Sequence, residues 1–397
     1  IMIYFSFNFK NRVSFNNYCY PSLLLLLILT ASNINLASSL PLSSKINKVI
    51  ATTQWFIYGR KHFRKAGYER HRIKYDSPVQ SRADIGRDVE GADGVDLRGK
   101  VVVITGANSG LGKEITTYAA AKGANVYMIC RSKERAEEAR DEIVKLTAND
   151  NVKIVLADVS EYSQVKAAAK TLQTLEPKID CLICNAGALL SEKRLTSEGN
   201  ESTVASHLIG GSYLLSQLLL PQLKASAPST SSSSSSSTTT APSRVIFTTS
   251  GGMYLTPLPS WEIATSIAPD HTYDGVMAYS YAKRGQVILA EECAKLHPEI
   301  RWMSAHPGWT LTAAVEDAFG DEKKYLEPMR NTWEGAEGLA WLMGREEGLE
   351  NGALYLDRET QVKHMAGPFF SEGRFTKNSE GEVRDFMENL RKSSGLS

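Results

Sequence analysis

From about residue 96 to residue 357, short uninterrupted apolar runs alternate with stretches whose apolar positions recur at helical spacing. The first run, Val101-Val-Val-Ile104, is continuous and β-branched, the mark of a strand covered on both faces. Similar runs at 125–130, 152–156, 179–184, 244–249 and 302–306, with a short one near 353–356, predict further strands. The intervals hold helices: one closed by Gly123, one after Ser160 with that hydroxyl as N-cap, a largely apolar one over 203–224, and one reaching Leu296. Strand and helix in regular alternation predict an α/β fold, a doubly wound and mainly parallel sheet with helices on both faces, in a single domain over 96–368.

The pattern breaks at both ends and once inside. Residues 1–48 contain Lys10 and Arg12, the apolar block Leu23-Leu-Leu-Leu-Leu-Ile-Leu29, and small residues after it. The block is too short to cross a bilayer as a helix and suits a signal peptide, while the many Ser and Asn suit a transit peptide. Because the chain opens on Ile1, a gene-model extension is a third reading. Localisation follows from that choice: an organelle or membrane surface if the leader is real, the cytoplasm if 1–48 is not translated. Residues 49–75 combine Trp55, Phe56 and Phe63 with Arg60, Lys61, Arg64 and Lys65, and no acidic residue precedes Glu69. This segment suits either peripheral contact with a membrane or a helix packing its rings on the domain. Residues 76–95 read as a linker, and 369–397 as a polar C-terminal tail. The Ser/Thr-rich stretch 226–243 buries almost nothing and reads as a disordered insert.

The 45 basic and 44 acidic residues leave a net charge of +1, which gives no reason to expect a nucleic-acid partner. Five cysteines, mostly in apolar runs, read as buried thiols. Cys181 and Cys184 have redox-like spacing, but in a strand they point to opposite faces.

The chemistry gathers at strand ends. The first strand runs into Thr105-Gly106-Ala-Asn108-Ser109-Gly110-Leu111-Gly112, a turn that opens a helix and offers its N–H groups to a phosphate. Arg131 follows the second strand, where a positive charge accommodates a 2′-phosphate and so favours NADP(H). Asp158 follows the third, Asn185-Ala186-Gly187 the fourth, Ser250 the fifth, and Pro307-Gly308 the sixth. Tyr279 and Lys283 lie four apart on a helix and share one face, so the ammonium is expected to bring the phenol pKa down toward working range. No metal site is expected.

Together these residues resemble the short-chain dehydrogenase/reductase family, whose pattern runs T-G-x-x-x-G-x-G, N-A-G, Ser, Y-x-x-x-K; finer motifs such as Ser250-Gly-Gly-Met253 and His306-Pro-Gly-Trp309 resemble its member-twelve branch. The resemblance implies a Rossmann-like fold and NADP(H). It implies Tyr279 as general acid/base, Lys283 on the nicotinamide ribose, Ser250 orienting the substrate, Asp158 near adenine, Asn185 near its ribose and Thr312 near the carboxamide. Leu208 departs from the pattern, standing where the family usually has an asparagine that supports a water linked to the lysine. Either His207 or a helix distortion then supplies the missing partner, or the proton relay is impaired. The expected function is an NADP(H)-dependent exchange between a carbonyl and an alcohol on a small hydrophobic molecule, with a homo-oligomer left open. The alternative is a catalytically weak NADP(H)-binding, membrane-associated regulatory or scaffold protein.

Overall fold

The central strands are apolar on both sides because both sides are covered. In the computed structural model, which describes residues 42–75, 94–226, 242–268, 272–366 and 372–396, β1 (Val101–Thr105), β2 (Asn125–Cys130), β3 (Val152–Leu156), β4 (Cys181–Cys184), β5 (Arg244–Thr248), β6 (Arg301–His306) and β7 (Leu354–Leu356) pair in parallel. The two-residue β8 (Glu359–Thr360) adds an antiparallel edge, giving the order β3-β2-β1-β4-β5-β6-β7-β8. Alternate residues enter two separate cores. Val101, Val103, Leu182 and Phe247 pack on one face, and Val102, Ile104, Ile183 and Ile246 on the other. Cys184 and Cys181 divide the same way; both are free, buried thiols pushed up by burial, so their spacing is structural.

The helices α3 (Gly110–Ala121) and α4 (Lys133–Thr147) cover the second face, while α5 (Tyr162–Leu175) covers the first. The Ser160 hydroxyl does not cap α5. It donates to Asp158 Oδ1 at 2.6 Å, and the carboxylate of Glu198 receives the N–H groups of Tyr162 and Ser163 at 2.8 and 2.9 Å. The expected helix over 203–224 is split. Its first part, α6 (202–218), is π-helical over Ala205–Leu214, and a separate turn, Leu220–Ala225, follows. The Gly210-Gly211 pair and the Ser212 hydroxyl, which donates to the His207 carbonyl at 2.6 Å, supply the distortion. Opposite it runs α7 (Gly275–Leu296), capped by the Asp274 carboxylate, while α8 (Thr332–Gly344) closes the second face.

Two elements lay outside the sequence pattern. The tail carries α9 (Glu380–Ser394), which buries Phe386 and Leu390 against the first core. At the other end, α1 (Leu42–His62) and α2 (Lys65–Arg72) form a helical hairpin whose rings turn toward the domain. Phe63 is 1% exposed, and Trp55 and Phe56 pack with it against Trp309. Of the two arrangements left open for 49–75, the rings show the packing of the second, with Phe63 buried and Trp55 and Phe56 partly buried. Among the described residues no helix is long and apolar enough to cross a membrane. The leader up to residue 41, most of the linker (76–93) and most of the Ser/Thr insert (227–241) lie outside the described residues.

Candidate active site

In an open parallel sheet the strand ends and the helix N-termini that follow them line a common crevice. Here it is a cavity of about 730 Å³. Gly106, Asn108, Ser109, Gly110 and Leu111 line it after β1, Arg131 after β2 and Asp158 after β3. Asn185, Ala186 and Gly187 line it after β4, and Pro307, Gly308 and Thr312 after β6. Gly112 is the one predicted cofactor residue that does not line the cavity. A Cβ there would lie 2.1 Å from the Gly106 carbonyl oxygen, so its part is to let α3 pack closely on the turn.

These residues fit a dinucleotide phosphate. Gly110 adopts φ +52°, which ordinary side chains avoid, and the N-cap Ser109 makes no side-chain cap bond, so the first turn of α3 keeps its N–H groups for an anion. The Thr105 hydroxyl accepts from the N–H groups of Asn185 and Ala186, both at 2.9 Å, locking the turn after β4 to the turn after β1. Asp158 has one carboxylate oxygen engaged by Ser160, which fixes its rotamer at the cleft. Arg135, one turn beyond Arg131 on α4, also lines the cavity. Sequence reasoning missed it, although an arginine four residues after a phosphate-reading arginine at a helix start was a usable signal.

Ser250, Tyr279 and Lys283 meet at the middle of the cleft. Ser250 stands beside the Tyr279 hydroxyl, close enough to offset part of the rise that burial gives the phenol, and Lys283 Nζ lies 5.4 Å from the Tyr279 ring centre. The expected electrostatics are reversed. Burial raises the Tyr279 phenol despite Ser250, and burial pushes Lys283 down to about 7. The ammonium is not aimed at the phenol oxygen; it donates to the Thr248 carbonyl at 2.6 Å and to Gln286 Oε1 at 3.2 Å.

Those contacts also show what surrounds Lys283 where the family usually has the asparagine. Leu208 is 1% exposed and turned into the core, where it touches the space beside Gly285. The π-helical turn instead presents the His207 carbonyl, which accepts from Gln286 Nε2 at 2.9 Å, while the same amide nitrogen donates to Ser212 Oγ at 3.0 Å. Gln286 thus joins Lys283 to α6 directly. The His207 ring takes no part in that link. It stands edge-on to Tyr279 with centres 5.2 Å apart, its Nε2 donates to the Ala188 carbonyl at 2.9 Å, and burial with nearby Lys283 keeps it neutral. Gln286, three residues after Lys283, was readable only once α6 was known to be distorted.

The cavity also has an apolar wall of Leu255, Val276, Trp309, Leu326 and Met329, together with Trp55 of α1. Among the described residues no cluster of metal-ligating side chains exists.

The family model described as short chain dehydrogenase matches residues 100–247. Human dehydrogenase/reductase SDR family member 12 is 30% identical over 78% of this chain and 89% of its own length. Bovine retinol dehydrogenase 12 is 32% identical over 68% of this chain and 82% of its own. A short-chain type dehydrogenase/reductase from Mycobacterium marinum aligns with a TM-score of 0.52 at 22% identity, over 68% of this chain and 96% of its own, a likeness of fold. With the T-G-x-x-x-G-x-G turn, the N-A-G turn and the Ser, Tyr and Lys set together in one cleft, the chain belongs to the short-chain dehydrogenase/reductase family of oxidoreductases.

Proposed function

We propose that this protein interconverts a carbonyl and an alcohol on a small hydrophobic molecule with NADP(H). The observation that carries the reading is the Ser250–Tyr279 hydroxyl pair, set in the same cleft as the glycine turn and the apolar wall. Gly110 and the start of α3 would hold the pyrophosphate, and Arg131 with Arg135 would meet the 2′-phosphate that separates NADP(H) from NAD(H). When bound, the cofactor supplies or accepts a hydride at its nicotinamide ring. Ser250 donates to the substrate oxygen and fixes its direction. Tyr279 gives its proton to that oxygen in reduction and takes one back in oxidation. Because burial raises the phenol, it is protonated at neutral pH and ready as the acid of the reductive direction. The experiment is NADPH oxidation by the purified protein across aliphatic, aromatic and polycyclic aldehydes and ketones. Turnover with apolar members is expected, faster with NADPH than NADH, and no turnover across the set would end the reading.

Gln286 is a positioning residue for Lys283, and its replacement has a signed prediction. An acceptor beside an ammonium favours the charged form, and such a hydrogen bond is worth about 1.5–3 kcal/mol, where about 1.4 kcal/mol corresponds to one pH unit. In Gln286→Leu the alkaline limb of kcat therefore moves toward acid by about one pH unit. In Gln286→Glu it moves the opposite way. If both variants shift alike, Gln286 only supports the packing.

A further inference from the structure

The family pattern begins at β1, yet the cleft includes a residue from well before it. Trp55, on α1, belongs to the apolar wall of the cavity. Its indole lies against Gly251, the residue after Ser250; a Cβ on Gly251 would come within 2.8 Å of Trp55 Nε1. The ring is thus a neighbour of the reacting centre, where the substituents of a substrate carbonyl must pass. Trp309, a second wall of the same cavity, packs edge-on to Trp55 with centres 5.7 Å apart. This approach depends on Gly59, one turn after Trp55, since a Cβ there would sit 2.5 Å from the Trp309 ring.

The hairpin also holds the base of the loop that carries the remaining apolar wall. The Phe63 carbonyl, between α1 and α2, accepts from Trp309 N–H at 2.7 Å and from Arg330 Nε at 2.9 Å. The Arg330 N–H in turn donates to the Trp309 carbonyl at 2.8 Å, closing the loop whose Leu326 and Met329 line the cavity. One short stretch of the N-terminal hairpin therefore sets a wall and anchors the loop opposite.

We infer that the α1–α2 hairpin is a working part of the substrate chamber, and that Trp55 selects for substrates with an extended apolar body beside the reacting carbonyl. The inference rests on the carbonyl–alcohol reading for its catalytic readout. A long alkyl or ring substituent lies along the indole and gains by leaving water, whereas a short aldehyde has little apolar surface to lay on it. The hairpin is then a specificity element and not merely a cover.

The test compares wild type, Trp55→Ala and Trp55→Phe with propanal, hexanal and decanal as substrates. The KM for decanal is expected to rise roughly tenfold in Trp55→Ala, consistent with loss of a few buried methylene contacts, the KM for propanal only by a small factor, and NADPH affinity stays within a few-fold of wild type. Trp55→Phe should fall between, and its thermal midpoint shows whether the fold is retained. Equal effects on all three aldehydes, or none, overturn the inference and leave α1 a packing element. A second readout does not need turnover: saturation-transfer NMR of decanol on the NADP⁺-loaded protein. The signal should weaken in Trp55→Ala; an unchanged signal overturns the inference. Wild type that binds decanol through Trp55 yet turns over no aldehyde would instead count against the catalytic reading alone.

Discussion

Tyr279→Phe lowers carbonyl reduction at neutral pH by about a thousandfold while leaving NADPH binding within a few-fold of wild type. The change removes one oxygen from a ring whose packing is otherwise kept: the His207 ring stays edge-on at 5.2 Å, and Lys283 keeps its two acceptors at Thr248 and Gln286. What disappears is the proton that the product oxygen needs as the hydride arrives. Positioned acid–base groups contribute about 10²–10⁴-fold, and the hydroxyl beside Ser250 is the one group of Tyr279 that reaches the substrate oxygen. Steady-state NADPH oxidation gives the rate, and quenching of nucleotide fluorescence gives the affinity. A variant as active as wild type removes Tyr279 from the chemistry; a variant that no longer binds NADPH shows that the substitution damaged the cleft. Ser250→Ala is expected to cost about a hundredfold, because it leaves the acid in place and removes one preorganised donor.

The sheet and the nucleotide part of the site were legible because they depend on local pattern. An apolar run buried on both faces needs no partner to be recognised, and Gly110 must be glycine for a backbone reason that the spacing exposes. The remainder depends on contacts that sequence distance hides. The inward turn of Trp55 and Phe63 is decided by Trp309, His306 and Arg330, far along the chain. The role of Gln286 depends on a π-helical turn that Gly210, Gly211 and Ser212 create together. The spacing of Tyr279 and Lys283 put both on one cavity wall, but spacing gives proximity and says nothing of burial, which raises the phenol and lowers the lysine. One element was missed although its signal was present. Val383, Phe386, Met387 and Leu390 recur at i, i+3, i+4 and i+7, and Phe386 packs behind the site where Leu208 meets Gly285.

Asp357→Asn should destabilise the protein by about 3–5 kcal/mol, the usual cost of removing one partner from a buried ion pair, and lower the unfolding midpoint by roughly 10 °C. Asp357 is 3% exposed and ion-paired with the 1%-exposed Arg330, which also donates to the Phe63 and His62 carbonyls; His71 Nδ1 lies 2.5 Å from the other side of the carboxylate. Asparagine is the informative replacement because position 357 has φ +59°, a conformation that Asn tolerates and Ala does not, so the change removes charge without straining the backbone. The double variant Asp357→Asn/Arg330→Met should lose less than the sum of the singles, since neither charge is left buried alone. The wild-type pH response separates this pair from its neighbours. Burial would raise the Asp357 carboxyl, but Arg330 and the His71 hydrogen bond hold it below its ordinary value, so its stabilisation persists at neutral pH and is lost only as pH falls through and below the ordinary aspartate range. Burial holds His62 at about 4 and His306 and His364 at about 3, below the ordinary 6.5, so the unfolded chain takes up protons first and stability already declines as pH falls from 6.5 toward 4. Asp357→Asn should therefore lower the stability curve above pH 4 and, because the Asp357 charge partly raises His62 and His306, carry the histidine decline further toward acid, as thermal unfolding across pH would record. Because Arg330 also clamps the hairpin beside the chamber, the variant should raise the KM for decanal before it lowers kcat. A fall in kcat with KM unchanged would show that the clamp serves the catalytic residues and not the wall made by Trp55.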